Sequence, residues 1–272
     1  PLIDIDLTET PRFEYRGLRY FAHRSLHRFQ AEHWNLEDWQ KEIDWILKKR
    51  LNLFMLRIGI DDIFQKTFPD IVPYPKPDEP LPEAGEAHHD RNLFWSLEYR
   101  GELRKKLLHY AFERDLMHPE DCGTVTHWYS RTPKAYLEKV NPLLLCGSKY
   151  NGELTGQTWD VLNDENLANY FKLTDTHIKE YGSPEIFHTI GLAERSFSED
   201  PEVNMRLKLY VYRRICAHLK DKYPNAPLLI ASWDLWGWFR NQDVQRMLEE
   251  LDPNQAIIMD YTSDTMCSKN FT

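Results

Sequence analysis

Ile186-Phe187-His188-Thr189-Ile190-Gly191-Leu192-Ala193-Glu194 is an apolar run that ends in a carboxylate. It lacks the polar alternation of a half-exposed strand and reads as a strand covered on both faces, as in a parallel sheet. A helical pattern follows from about Pro201 to Lys222. An acid placed where a parallel strand hands over to a loop, ahead of a helix, stands where strand–helix barrels carry their catalytic groups. Burial favours the protonated form of such a glutamate, which can then act as a general acid. A pair with Arg195 or a loop cap is the structural alternative for the same side chain.

Outward from this strand the same alternation repeats. Towards the N-terminus, Phe13–Phe21 and Asn52–Arg57 read as strands one and two, with an amphipathic helix between them. In that helix apolar residues fall at 36, 39, 43, 46 and 47, the spacing of one helical face. Asn35 is the expected N-cap, with Asp38 at the third helical position. A Pro-rich stretch over 67–92 is expected to be an extended excursion on the mouth of the sheet. Leu97–Leu116 reads as a helix despite Gly101, and a short strand three is expected near Cys122–Thr126. The segment Pro142–Asp164 is loop-rich and contains Trp159. Asp164–Tyr181 is a helix stopped by Gly182. Towards the C-terminus, Pro227–Trp233 is strand five, Asn241–Leu251 a helix, and Gln255–Asp260 strand six.

Strands alternating with helices imply a parallel sheet. The expected architecture is α/β, a (β/α)8 TIM-type barrel of which this chain carries the first six strand–helix units. The whole of 1–272 is expected to be one barrel domain whose last units lie beyond Thr272; an open sheet is the alternative. No Gly-rich phosphate loop follows strand one, which argues against a dinucleotide-binding fold.

In such a fold the groups that follow the strands share one face. They are Arg24 after strand one, Arg57 after strand two, and His127 and Trp128 after strand three. Glu194 follows strand four, Trp233, Asp234 and Trp236 follow strand five, and Asp260 and Tyr261 follow strand six. Glu194 is the catalytic candidate and the others are candidates for binding substrate. The run Ser232-Trp233-Asp234-Leu235-Trp236-Gly237-Trp238 is dense in indole, and indole faces stack on sugar rings. Asp234 and Asp260 could equally bond neighbouring backbone amides. His127, Asp234 and Asp260 could serve a metal-dependent hydrolase, but the histidines are too scattered for a metal site, and none is expected.

Bulk properties narrow the partners. The 272 residues carry a formal net charge of −9, and 42% of them are hydrophobic and 13% aromatic. An acidic globular chain does not present the basic face that nucleic acid requires. No apolar run reaches the length of a membrane span. Cys122, Cys146, Cys216 and Cys267 have no metal or redox spacing, and Cys216 is expected to be a small buried hydrophobe. No cofactor is implied; the expected partner is a carbohydrate, together with further segments of the same protein.

Three stretches together resemble the α-N-acetylglucosaminidases of glycoside hydrolase family 89. The first is Tyr15-Arg16, Trp34 and Trp39-Gln40-Lys41-Glu42-Ile43-Asp44-Trp45, continuing to Leu51-Asn52-Leu53. The second is Glu180-Tyr181-Gly182 through Glu194, and the third runs from Pro227 through Trp233 and Phe239 to Asp260. The resemblance implies a retaining, exo-acting glycosidase of a secreted or periplasmic kind, with Glu194 as acid/base. One carboxylic acid would protonate the leaving oxygen while a second carboxylate, about 5 Å away, attacks the anomeric carbon. The family's nucleophile has no match in this chain. The family also has Asn before its acid/base Glu, where this chain has Ala193. In related barrels that Asn contacts the substituent at sugar carbon two. A different sugar, or a barrel that holds carbohydrate without cleaving it, is the alternative implied by these departures.

Overall fold

The computed structural model describes residues 8–21, 33–57, 62–76, 95–121, 132–145, 158–182, 185–189, 192, 196–231 and 240–259, with a few strand residues, Arg57 among them, described by backbone alone. The first strand, β1 (Gly17–Phe21), leads to helix α1 (Leu36–Lys48) and strand β2 (Leu53–Arg57). Two helices follow, α2 (Ile63–Thr67) and α3 (Leu97–Phe112), before strand β3 (Pro119–Asp121). Helices α4 (Lys134–Val140) and α5 (Asp164–Tyr181) precede strand β4 (Ile186–Thr189). The chain continues through α6 (Pro201–Lys222), β5 (Leu228–Ala231), α7 (Asn241–Glu250) and β6 (Ala256–Met259).

Every strand pairing is parallel. β1 pairs with β2, and β3, β4, β5 and β6 pair in that order. A parallel bridge between Leu53 and Met117 joins the two groups, with Phe54 N–H donating to Met117 O at 2.8 Å. The strands therefore lie in sequential order, as expected of strands linked by helical crossovers. No pairing of β1 with β6 closes the sheet among the described residues.

Both faces of the sheet are covered, which explains the unbroken apolar runs. Phe54, Phe187, Leu228, Ile230 and Ile258 pack with the helices in one large core. Alternate residues turn the other way: Leu53, Met55, Ile186 and Leu229 form a second cluster, joined by Met117, Ile257 and Met259. That cluster draws β2, the entry to β3, β4, β5 and β6 onto one another on the face away from the helices.

The β1–β2 contact is built from residues of the first family-like stretch. Asn52 Oδ1 accepts from Arg16 N–H at 2.8 Å, and the Arg16 carbonyl accepts from the N–H of Asn52 and Leu53. Arg16 also reaches Arg50 O through Nε at 2.9 Å. Gly17 is required here, because a Cβ on it would stand 2.6 Å from Leu53 O. Strand one accordingly starts at Gly17 rather than Phe13, since Arg16 is occupied with this tie.

The helix caps follow the sequence. Asn35 and Asp38 form the reciprocal capping box on α1, both bonds at 3.1 Å. Gly182 ends α5 at φ 109°, with its N–H donating to Ile178 O. α3 stops at Phe112 instead of Leu116 because Asp115 turns left-handed, at φ 56°. Strand three begins earlier than expected: the described strand is Pro119–Asp121, and residues 122–131 lie outside the described set. The loop-rich segment holds a core residue, for Trp159 is fully buried and stacks on Tyr136 at 5.1 Å. Its indole N–H donates to Thr132 Oγ1 at 2.9 Å. Of the Pro-rich stretch, 67–76 is described and packs on the helix layer through buried Val72. Cys216 is buried, as expected, and burial pushes its thiol up to about 11. No helix among the described residues is long and apolar enough to cross a membrane.

The two tryptophans of α1 separate packing from exposure. Trp39 is 1% exposed and meets Trp34 and Phe54 edge-on, whereas Trp45 is 43% exposed under Lys49. Trp39→Ala is expected to cost about 3–5 kcal/mol of unfolding free energy. Trp45→Ala should cost under about 1 kcal/mol. Urea denaturation of both variants checks the assignment of the two faces.

Candidate active site

Parallel pairing puts the C-terminal ends of all six strands on one edge. The register aligns Phe21 with Arg57, Asp121 with His188, Thr189 with Ile230, and Ala231 with Met259. The segments that carry the sequence candidates begin at this edge. Glu194 follows Thr189 by five positions, Asp234 follows Ala231 by three, and Asp260 directly follows Met259. Arg57 is the last residue of β2, with its side chain outside the described residues. Arg24, His127, Trp128, Glu194, Trp233, Asp234, Trp236, Asp260 and Tyr261 also lie outside them. The strands thus set where these segments start, and the described side chains show how one of them is held.

That segment is the exit from β4. Leu192 is 1% exposed, and its N–H donates to the hydroxyl of Tyr212 at 3.1 Å. Farther on, Phe197 N–H donates to Asn204 Oδ1 at 2.8 Å. Tyr212 and Asn204 are both buried side chains of α6. The segment containing Glu194 is therefore tied at each end to one helix. The start of that helix is itself fixed: Asp200 caps it by accepting from the N–H of Glu202 and Val203, and Pro201 fills the first turn. On its outer side Glu202 accepts from Arg240 and Arg246, which bind α7 to α6. Arg240 also grips Asp243 and holds that carboxyl below its usual range.

A second polar assembly was not anticipated in the sequence. Asp62, 1% exposed, accepts from Tyr74 at 2.7 Å and from Tyr181 at 2.5 Å. Lys66 approaches Asp62 at 3.4 Å and Glu180 at 3.6 Å. Arg104 lies over the Tyr181 ring, beside buried His118 and His177. Burial and Asp62 raise the Tyr74 phenol. Tyr181 closes α5 five residues before β4 begins, whereas Asp62 follows the end of β2 by five residues, and the assembly ties α2, α3 and α5 together. Gly101 was its one legible trace, because a Cβ there would stand 2.4 Å from Asp62 Oδ1. Among the described residues no group of three or more His, Cys, Asp or Glu could hold a metal ion.

No protein-family model and no curated protein matches the chain. Solved structures do share its fold. A Clostridium perfringens glycoside hydrolase of family 89, in complex with its substrate GlcNAc-α-1,4-galactose, superposes with a TM-score of 0.57 at 14% identity, over 94% of this chain and 29% of that one. A Flavobacterium johnsoniae chitobiase of family 20 superposes with a TM-score of 0.54 at 17% identity, over 92% of this chain and 38% of that one. An inactive variant of an exo-β-N-acetylglucosaminidase from Vibrio harveyi, also of family 20, gives 0.52 at 14% identity, over 93% of this chain and 42% of that one. The chain spans less than half the length of each of these. What the comparison establishes is a mixed α/β fold shared with glycosidases of two families.

Two tests follow. Burial, with His177 and Arg104 nearby, pulls His118 down to about 4. Between that value and the ordinary histidine range the unfolded chain binds a proton that the folded chain does not. Stability is then complete above about pH 6.5 and falls by up to about 3 kcal/mol as the pH drops towards 4. His118→Leu should flatten that slope in urea titrations at stepped pH. Gly101→Ala gains helix propensity of about 1 kcal/mol but drives a methyl into Asp62, and a net loss of about 1–2 kcal/mol is expected by the same method.

Proposed function

We propose that this chain forms most of the catalytic (β/α)8 barrel of a retaining, exo-acting glycosidase, with Glu194 as general acid/base. The observation that carries the reading is the fastened exit of β4. A carboxylate there stands at the C-terminal mouth of a parallel sheet, where barrel enzymes do their chemistry. The apolar cluster running from β2 to β6 and the sequential order of six parallel strands support a barrel. A terminal N-acetylglucosamine-like sugar is the proposed substrate, supported by the family 89 resemblance and by the sugar complex of the superposed Clostridium enzyme.

In the proposed reaction Glu194 gives its proton to the glycosidic oxygen as the bond to the anomeric carbon breaks. A second carboxylate, supplied by a later part of the barrel, attacks the anomeric carbon from the opposite face. Glu194, now ionised, then takes a proton from the water that releases the sugar. The Trp233–Trp238 run offers indole faces to stack on the ring, with Arg24, Arg57, His127, Trp128, Asp234, Asp260 and Tyr261 as polar and aromatic contacts. A second reading, a barrel that binds carbohydrate without cleaving it, is favoured by one observation: Ala193 stands where the family has Asn.

Glu194→Gln in the full-length protein tests both. The glycosidase reading expects turnover of a terminal N-acetylglucosaminide with a poor leaving group to fall about 10²–10⁴-fold. Sugar affinity by calorimetry should stay within a few-fold. Unchanged turnover contradicts the acid role, while sugar binding by a wild-type protein that turns nothing over supports the second reading.

A further inference from the structure

Two strand exits end where one group of charges joins two helices. The β4 exit returns to the helix layer at Phe197, which Asn204 holds, and at Asp200, which caps α6. The β5 exit, residues 232–239, carries Trp233, Trp236 and Trp238 and returns at Arg240, the residue before the first turn of α7.

Arg240 is gripped through its main chain and its side chain at once. Its backbone N–H donates to Asp243 Oδ2 at 3.0 Å, its Nε to the same oxygen at 2.8 Å, and its Nη2 to Oδ1 at 2.6 Å. Asp243 is 2% exposed, so water screens its side of this fork little. The same Nη2 reaches Glu202 Oε2 at 3.2 Å. Glu202 stands in the first turn of α6, and its own N–H donates to the capping Asp200 at 2.8 Å. Asp243, Arg240, Glu202 and Asp200 thus form one line of bonds from the end of the β5 exit to the end of the β4 exit.

This contact does little to hold the two helices together. The side chains of Arg240 and Glu202 are 42% and 46% exposed, and an ion pair of that exposure adds little stability. The seam has other fastenings: Arg246 bonds Glu202 at 2.5 Å and Glu250 at 2.6 Å, and Arg213 bonds Glu250 at 2.7 Å. Val244 and Met247 of α7 are buried in the main core. What the Arg240 contact adds is register at the rim. Arg246 stands about 9 Å farther along α7 and cannot set where the exit ends.

We propose that Glu202 is a positioning residue that registers the indole-bearing β5 exit against the acid-bearing β4 exit by holding Arg240. The role rests on the glycosidase reading and deepens it. An acid and a sugar platform act on one substrate only if the segments that carry them keep a fixed spacing.

The test compares Glu202→Ala with Arg246→Ala in the full-length protein. Both weaken the seam, but only Glu202→Ala releases Arg240. It does so without stripping buried Asp243 of its cation. Hydrogen exchange over 232–239 is expected to quicken about fivefold in Glu202→Ala and to stay within about twofold in Arg246→Ala. The kcat/KM for a terminal N-acetylglucosaminide should fall roughly 10–100-fold in the first and change less than about threefold in the second. Unchanged exchange in Glu202→Ala, or equal quickening in Arg246→Ala, overturns the proposal. So does quickened exchange with no loss of kcat/KM, which would leave Glu202 a brace only. Should Glu202→Ala fail to fold, Glu202→Gln removes the charge with the same shape and is judged by the same readouts. A wild-type protein that cleaves no glycoside would remove the catalytic reading, while hydrogen exchange would still judge the hold on Arg240.

Discussion

Parallel pairing of strands in sequential order is the constraint on which everything else rests. It forces each strand's exit onto one edge and each helix onto the return path. Segments that leave strands as far apart in sequence as β2 and β6 therefore begin at a common rim. The pairing is maintained from both faces: helices cover one, and a cluster running from Leu53 and Met55 through Ile186 and Leu229 to Ile257 and Met259 fills the other. Neither face could be left wet, because the strands are apolar on both.

On that frame α6 does more than cross over. Its buried Asn204 and Tyr212 hold the β4 exit, while its outer residues are laced to α7 by Glu202, Arg240, Arg246 and Glu250. A helix braced on one side and polar on the other is suited to hold a loop residue in a fixed geometry. Precise placement of an acid is what general catalysis requires. In the Asp62 assembly buried polar contacts join α2, α3 and α5.

Much of the frame was legible because its signals are local. Asn35 with Asp38 marked the start of α1, Gly182 marked the end of α5, and apolar runs marked β2, β4, β5 and β6. The described start of β3 went unnoticed because Pro119-Glu120-Asp121 is polar and carries no strand signature; the expected Cys122–Thr126 lies outside the described residues. The short helices α2 and α4 passed unseen because five to seven residues leave little periodicity to detect. Residues that act together across long separations left the faintest traces. Asp62 meets Tyr181 across 119 positions, and only Gly101, out of place in a helix, hinted at the contact. The site candidates were legible as strand-exit positions; their side-chain arrangement is a matter of tertiary geometry that no local pattern encodes.

The most direct measurement is a crystal structure of the full-length protein with a terminal N-acetylglucosamine-type sugar bound at the mouth of the sheet. The account predicts the Glu194 carboxyl within hydrogen-bonding distance of the glycosidic oxygen, with an indole of the Trp233–Trp238 run against the ring. A Glu194 side chain directed into bulk water, away from the sugar, would contradict it.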